Sequence, residues 1–212
     1  MERLKSPRIN SWCGWDPLQE VWVGQHHNSD YFNTIKSKKV RDPLKRILDE
    51  TEEDYQSLIK ILKEYGVQQI SRPEFNPALR FGDELPTHAT NPRDHHFAYG
   101  NTLYRFEDKK CYNKLYQTYK DSREKVFDPY HDNLSTPPIS DKLEAPACVR
   151  SGDAVLIDAL AINHMKWFRD RFNDTKIIVS ALGGHSDGVF CPVRPGLIVT
   201  TYDYKAHFAD TI

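Results

Sequence analysis

His185 and Asp187 stand two residues apart, after Leu182-Gly183-Gly184 and before the apolar run Val189-Phe190-Cys191. In extended chain that spacing puts both side chains on one face, an imidazole able to move a proton beside a carboxylate. The same pair also suits a structural use, a buried histidine satisfied by a local acid, because a pattern alone does not license a function. Asp94, in Pro92-Arg93-Asp94, likewise falls where a loop enters a strand-like run. Two carboxylates with one titratable ring suit a planar cation, since a guanidinium is held by paired, charged hydrogen bonds. Pro-Arg-Asp is equally an ordinary turn sequence.

The other reactive side chains point to no site of their own. Cys13, Cys111, Cys148 and Cys191 are scattered with no Cys-x-x-Cys pair, which excludes a disulfide framework and a thiolate zinc site as expectations. Cys191, on a strand after His185, is expected in the core. His26-His27 are adjacent, so on a strand they diverge, and they are read as loop surface and not as metal ligands. No metal and no cofactor are expected.

Of 212 residues, 39% are hydrophobic and 28% charged, with 29 basic against 30 acidic side chains and a net charge of -1. The totals hold no broad basic face, so nucleic acid is not an expected partner. Met1 to Pro7 lacks the apolar core of a signal peptide, and no apolar run approaches the ~20 residues that span a bilayer. A cytoplasmic location without a membrane partner is the expectation.

These side chains need elements to position them. Glu20 to Gly24 reads as a strand. Asp42-Pro43 opens a helix as N-cap and first helical residue. Its apolar face is Leu44, Ile47, Leu48, Thr51, Tyr55, Leu58, Leu62 and Tyr65; Asp49, Glu50, Glu52, Glu53 and Lys60 take the other, and Gly66 ends it. Val67 to Ile70 follows as a strand. Phe97-Ala98-Tyr99 and Thr102 to Phe106 flank Gly100-Asn101 as a hairpin. Lys109 to Arg123 reads as a Tyr-rich helix, and residues 124–143, with Pro129, Pro137 and Pro138, as loop. Ala147 to Arg150 and Ala154 to Ile157 form a second hairpin around Ser151-Gly152-Asp153. A helix over about 160–172 carries Ile162, Met165, Trp167, Phe168 and Phe172, and Lys176 to Ala181 is a strand. Val189 to Thr200 turns at Arg194-Pro195-Gly196 as a third hairpin, and a further helix begins after Asp203.

Hairpins beginning near residues 97, 147 and 189 recur at ~40 to 50 residues, the range of propellers and arrays. The expected fold is α/β, built from repeated ββαβ units: about three, with the start of a fourth, the first unit contributing one strand before its helix.

Asn10-Ser11-Trp12-Cys13-Gly14-Trp15-Asp16-Pro17-Leu18-Gln19-Glu20-Val21-Trp22-Val23-Gly24 resembles the opening of the amidinotransferases that act on arginine, such as glycine and inosamine-phosphate amidinotransferases. Pro92-Arg93-Asp94, Gly100-Asn101, His185-Ser186-Asp187-Gly188-Val189-Phe190 and Arg194-Pro195-Gly196-Leu197-Ile198-Val199 follow in the family's order. The resemblance implies a pentein fold, a five-bladed α/β propeller. It implies a cysteine thiolate attacking the guanidinium carbon of arginine, His185 as general acid/base, Asp94 and Asp187 as guanidinium ligands, and an amine acceptor such as glycine.

The sequence also departs from the family. The nucleophilic cysteine belongs to a Gly-rich C-terminal motif beyond Ile212, and a lone histidine cannot form the covalent intermediate. Glu144-Ala145-Pro146-Ala147-Cys148-Val149-Arg150-Ser151-Gly152 resembles a family segment that carries Asp or Asn where Ala147 stands. Three readings stay open. Residues 1–212 are one amidinotransferase-like domain whose cysteine comes from a missing segment, a second polypeptide or another subunit; or a non-catalytic pentein relative that binds a guanidino compound or serves as an interaction module; or a hydrolase of the arginine-deiminase kind.

Overall fold

The computed structural model describes residues 9–74, 77–82, 90–106, 110–121, 125–127, 144–172, 174–180 and 185–201. The Gly183-Gly184 turn, the segment with Pro129, Pro137 and Pro138, and the helix expected after Asp203 lie outside them. The chain is mixed α/β with small sheets, in two compact units. One is Met1–Pro7, Leu18–Pro92 and Lys109–Arg123; the other is Arg8–Pro17, Arg93–Asp108 and Glu124–Ile212. Among the described residues no helix is long and apolar enough to cross a membrane.

In the first unit β1 (Glu20–Trp22) pairs in parallel with β2 (Gln69–Ser71), Val21 opposite Ile70. Parallel neighbours need a long crossover, supplied by α1 (Lys38–Glu64). The expected N-cap at Asp42 is corrected: α1 begins five residues earlier, after Ser37, whose carbonyl accepts from the Arg41 amide at 2.8 Å. Pro43 therefore lies inside the helix, where it removes one amide near the start and its φ still suits the helix. The end follows from Gly66: its φ of 84° lets the Val67 amide reach Leu62 O and its own amide reach Lys63 O, both at 3.0 Å. The apolar stripe of α1 is only partly covered, with Leu44, Leu48, Tyr55 and Leu62 half-buried and Val40, Ile47, Leu58 and Ile61 exposed.

α2 (Pro92–His95) is a single turn, and α3 (Asn113–Asp121) follows a 3-10 turn at Lys110–Tyr112. Tyr112, Tyr116 and Tyr119, at helical spacing, are all buried and gather around Trp22. The Trp22 indole N–H donates to Tyr119 Oη at 3.1 Å, and the Tyr119 hydroxyl donates to Glu20.

The reading of His26 as loop surface is overturned. His26 is buried, stacked on Tyr55 at 5.8 Å, with Nε2 2.9 Å from Glu52 Oε2. Arg72 donates its two terminal nitrogens to the two Glu52 oxygens at 2.8 and 3.0 Å and its Nε to Gly24 O at 2.9 Å. A planar guanidinium fork matches a carboxylate edge to edge, so Glu52 turns from the expected polar face of α1 into this network.

In the second unit β3 (His96–Tyr99) and β4 (Thr102–Arg105) form the expected hairpin, Phe97 opposite Tyr104. β5 (Lys125–Phe127), expected as loop, runs parallel to β4. β6 (Cys148–Ser151) and β7 (Ala154–Asp158) repeat the pattern, with β8 (Lys176–Ser180) parallel to β7. Both sheets are thus a hairpin plus one parallel strand. β9 (Phe190–Arg194) and β10 (Leu197–Thr200) make a two-stranded sheet, and no closed sheet occurs among the described residues.

β7 is buried along its whole length, and its period of two divides it between two cores. Val155 and Ile157 join Phe97, Tyr99, Tyr104, Trp167, Phe168 and Phe172, while Leu156 joins Val149 and Phe190. Side chains this completely buried each contribute roughly 1.5–3 kcal/mol. α4 (Met165–Arg171) supplies Trp167 and Phe168. Ile162, expected on the same apolar face, sits instead in a preceding 3-10 segment, Ala159–His164, and is exposed.

Candidate functional site

The His185-Ser186-Asp187 motif is not extended chain. Ser186–Gly188 is one 3-10 turn, with His185 preceding it, which corrects the expectation of one shared strand face. The turn drives Ser186 inward: it is fully buried and its hydroxyl donates to Asp158 Oδ2, at the end of β7, at 3.3 Å. His185 and Asp187 are left on either side of that anchor, His185 exposed and Asp187 half-buried.

Asp94 lies in α2 directly before β3 and is half-buried. Asp187 feels the charges of both Asp94 and His185. Burial pushes the Asp187 carboxyl above its ordinary range; the positive charges of Arg93 and His185 oppose the rise and the Asp94 carboxylate adds to it.

Sequence reasoning passed over Arg93, although it belongs to the Pro92-Arg93-Asp94 motif. Its guanidinium donates to Ala145 O at 2.7 Å and to Cys148 O, lies 5.5 Å from the Phe97 ring, and places Nε 3.5 Å from Asp187 Oδ2. Arg150 approaches the same ring at 5.9 Å and donates to Ala98 O at 2.6 Å. Burial, above all, lowers the proton affinity of both guanidinium groups.

Glu144 was missed as well. It precedes a 3-10 turn at Ala145–Ala147, where its carbonyl accepts from the Ala147 amide at 3.1 Å. Its Oε2 lies 3.0 Å from His185 Nε2, with both side chains about half exposed, at 47% and 58%. Ala147 is one turn further along and has no polar side-chain atom.

The cysteines separate by environment. Cys148 is fully buried, and burial pushes its thiol up to about 12, so it is not a thiolate at neutral pH. Cys191, expected in the core, is exposed: on β9 Phe190 and Pro192 point inward and Cys191 faces outward. Among the described residues no cluster of His, Cys, Asp and Glu could hold a metal ion.

Neither a family model nor a curated protein matches the sequence. Solved structures do. SxtG, an amidinotransferase from Microseira wollei in the saxitoxin biosynthetic pathway, matches with a TM-score of 0.64 at 20% identity, over 91% of this chain and 69% of its own. Inosamine-phosphate amidinotransferase StrB1 from Streptomyces griseus matches with a TM-score of 0.63 at 22% identity, again over 91% and 69%. At such identities the likeness is one of fold, and this chain folds as these two amidinotransferases do over the larger part of their length.

Proposed function

We propose that this chain binds a guanidino compound such as arginine and takes part in moving its amidino group to an amine acceptor such as glycine. Residues 1–212 act as one amidinotransferase-like domain, the ββαβ sheets serving as propeller blades. Asp94 and Asp187 hold the guanidinium, and His185 is the general acid/base. The observation that supports the reading is that the Asp187 carboxyl senses both the Asp94 and the His185 charge.

The chemistry follows. A thiolate, supplied by a segment or chain other than these residues, attacks the guanidinium carbon and forms a carbon–sulfur bond. His185 gives a proton to the departing amine, which leaves as ornithine when arginine is the donor. The acceptor amine then attacks the same carbon, loses its proton to His185, and the thiolate departs. Carboxylates suit the guanidinium because ionised pairs of this geometry are short and directional.

The sealed Cys148 thiol cannot serve as the nucleophile, so where no other thiol is supplied a second reading applies, a pentein relative that binds the guanidino compound without transferring it. Thermal melting with arginine tests both. Ligand at about 100 times its dissociation constant stabilises a protein by about 2.7 kcal/mol, so a rise in melting temperature is expected, lost in Asp94→Ala and in Asp187→Ala. No rise at millimolar arginine overturns guanidino binding. The two readings part on ornithine release from arginine and glycine: release once a thiol-bearing partner is added supports transfer, and none supports binding alone.

A further inference from the structure

We propose that Glu144 is the positioning residue for His185. The proposal rests on the reading of His185 as the proton carrier. A carboxylate only accepts hydrogen bonds, so the 3.0 Å contact between Glu144 Oε2 and His185 Nε2 requires a proton on Nε2. In the neutral ring Nδ1 is then the basic nitrogen, the one that takes a proton from the amine and returns it.

The surroundings show why Glu144 can do this. The 3-10 turn that follows it is pinned through Ala145 O and Cys148 O to the Arg93 guanidinium, whose Nε faces Asp187. Ser186, between His185 and Asp187, is anchored on Asp158. The backbones carrying Glu144 and His185 are therefore both held, and the hydrogen bond has only the two side chains to order. A half-exposed pair adds little to global stability, so the contact acts on ring orientation.

The experiment is solution NMR on the full chain, reading the side-chain couplings of His185 and the cross-relaxation between its ring protons and the residue-144 methylenes. In the unmodified protein one rotamer and a clear cross-peak are expected. Glu144→Ala should average the couplings with the melting temperature unchanged, and Glu144→Gln, whose amide oxygen still accepts from Nε2, should restore the single rotamer. Arginine affinity should stay within about twofold in both variants, since a positioning residue does not touch the guanidinium. A His185 rotamer that stays fixed in Glu144→Ala overturns the proposal; so does a tenfold loss of arginine affinity in Glu144→Ala, which would make Glu144 a ligand. If the unmodified protein fails to bind arginine, the functional reading falls and the coupling data still decide whether Glu144 orients the ring.

Discussion

Arg93 Nε lies 3.5 Å from Asp187 Oδ2, so the chain's own guanidinium already touches one of the two carboxylates expected to receive a substrate's. The pair does not fully offset burial, because the Asp187 carboxyl is still raised above its ordinary value of 3.8. A raised carboxyl favours the folded state while protonated: that contribution is complete below 3.8 and is lost as pH rises through the folded value. Asp187→Asn should therefore be more stable than the unmodified protein at pH 7, with the gap closing below 3.8. Urea melts at the two pH values check this; an asparagine variant less stable at pH 7 would mean that the Arg93 pair outweighs burial.

Replacing Arg93 by methionine keeps much of the side chain's length and removes the donors to Ala145 O and Cys148 O. Unsatisfied buried acceptors cost about 1–3 kcal/mol each, so a loss of about 2–4 kcal/mol is expected. Lysine should recover less than half of it, since an ammonium cannot reproduce the fork. Chemical denaturation of the three proteins measures the series.

Glu52 works in the opposite sense. Hydrogen bonds from Arg72, above all, lower its carboxyl from 4.5 to about 2. A depressed carboxyl stabilises the fold above 4.5 and loses that contribution as pH falls toward about 2. Glu52→Gln should cost about 1–3 kcal/mol at pH 7, reduced by the solvent that reaches this half-exposed side chain. The difference from the unmodified protein should shrink across that acid window; a gap independent of pH would remove the ion pair as its cause.

Gly24 marks where the chain passes closest to Thr90. A Cβ there would fall 1.9 Å from Thr90 O and 2.6 Å from Tyr55 Oη, the two atoms joined by the Tyr55 hydroxyl hydrogen bond at 2.9 Å. Backbone cannot yield as a side-chain end can, so Gly24→Ala should cost about 2–4 kcal/mol. Equal melting temperatures would show that the contact opens without cost.

A thiol reagent should label Cys191 in the folded protein and leave Cys148 untouched until denaturant is added, since the first is exposed and the second is fully buried with its thiol pushed to about 12. Peptide mapping of the labelled protein reads this directly. Early labelling of Cys148 would mean that β6 opens in the native state.

Local geometry is written in short stretches of the chain. Alternating apolar residues around Gly100-Asn101, Ser151-Gly152-Asp153 and Arg194-Pro195-Gly196 specify three hairpins because a turn and a period of two are short-range properties. Asp94, His185 and Asp187 stand out by residue type and spacing, whereas the 3-10 turn that replaces extended chain at Ser186–Gly188 does not. Which groups meet across the chain depends on the folded backbone: Glu144 with His185 over 41 positions, Arg93 with Cys148 over 55, and His26 with Glu52 over 26. It also set Cys191 outside and Cys148 inside, and it added β5, three residues too few to announce a strand. Pairing of polar side chains depends on where folded backbone brings them, and no spacing along the chain encodes that distance.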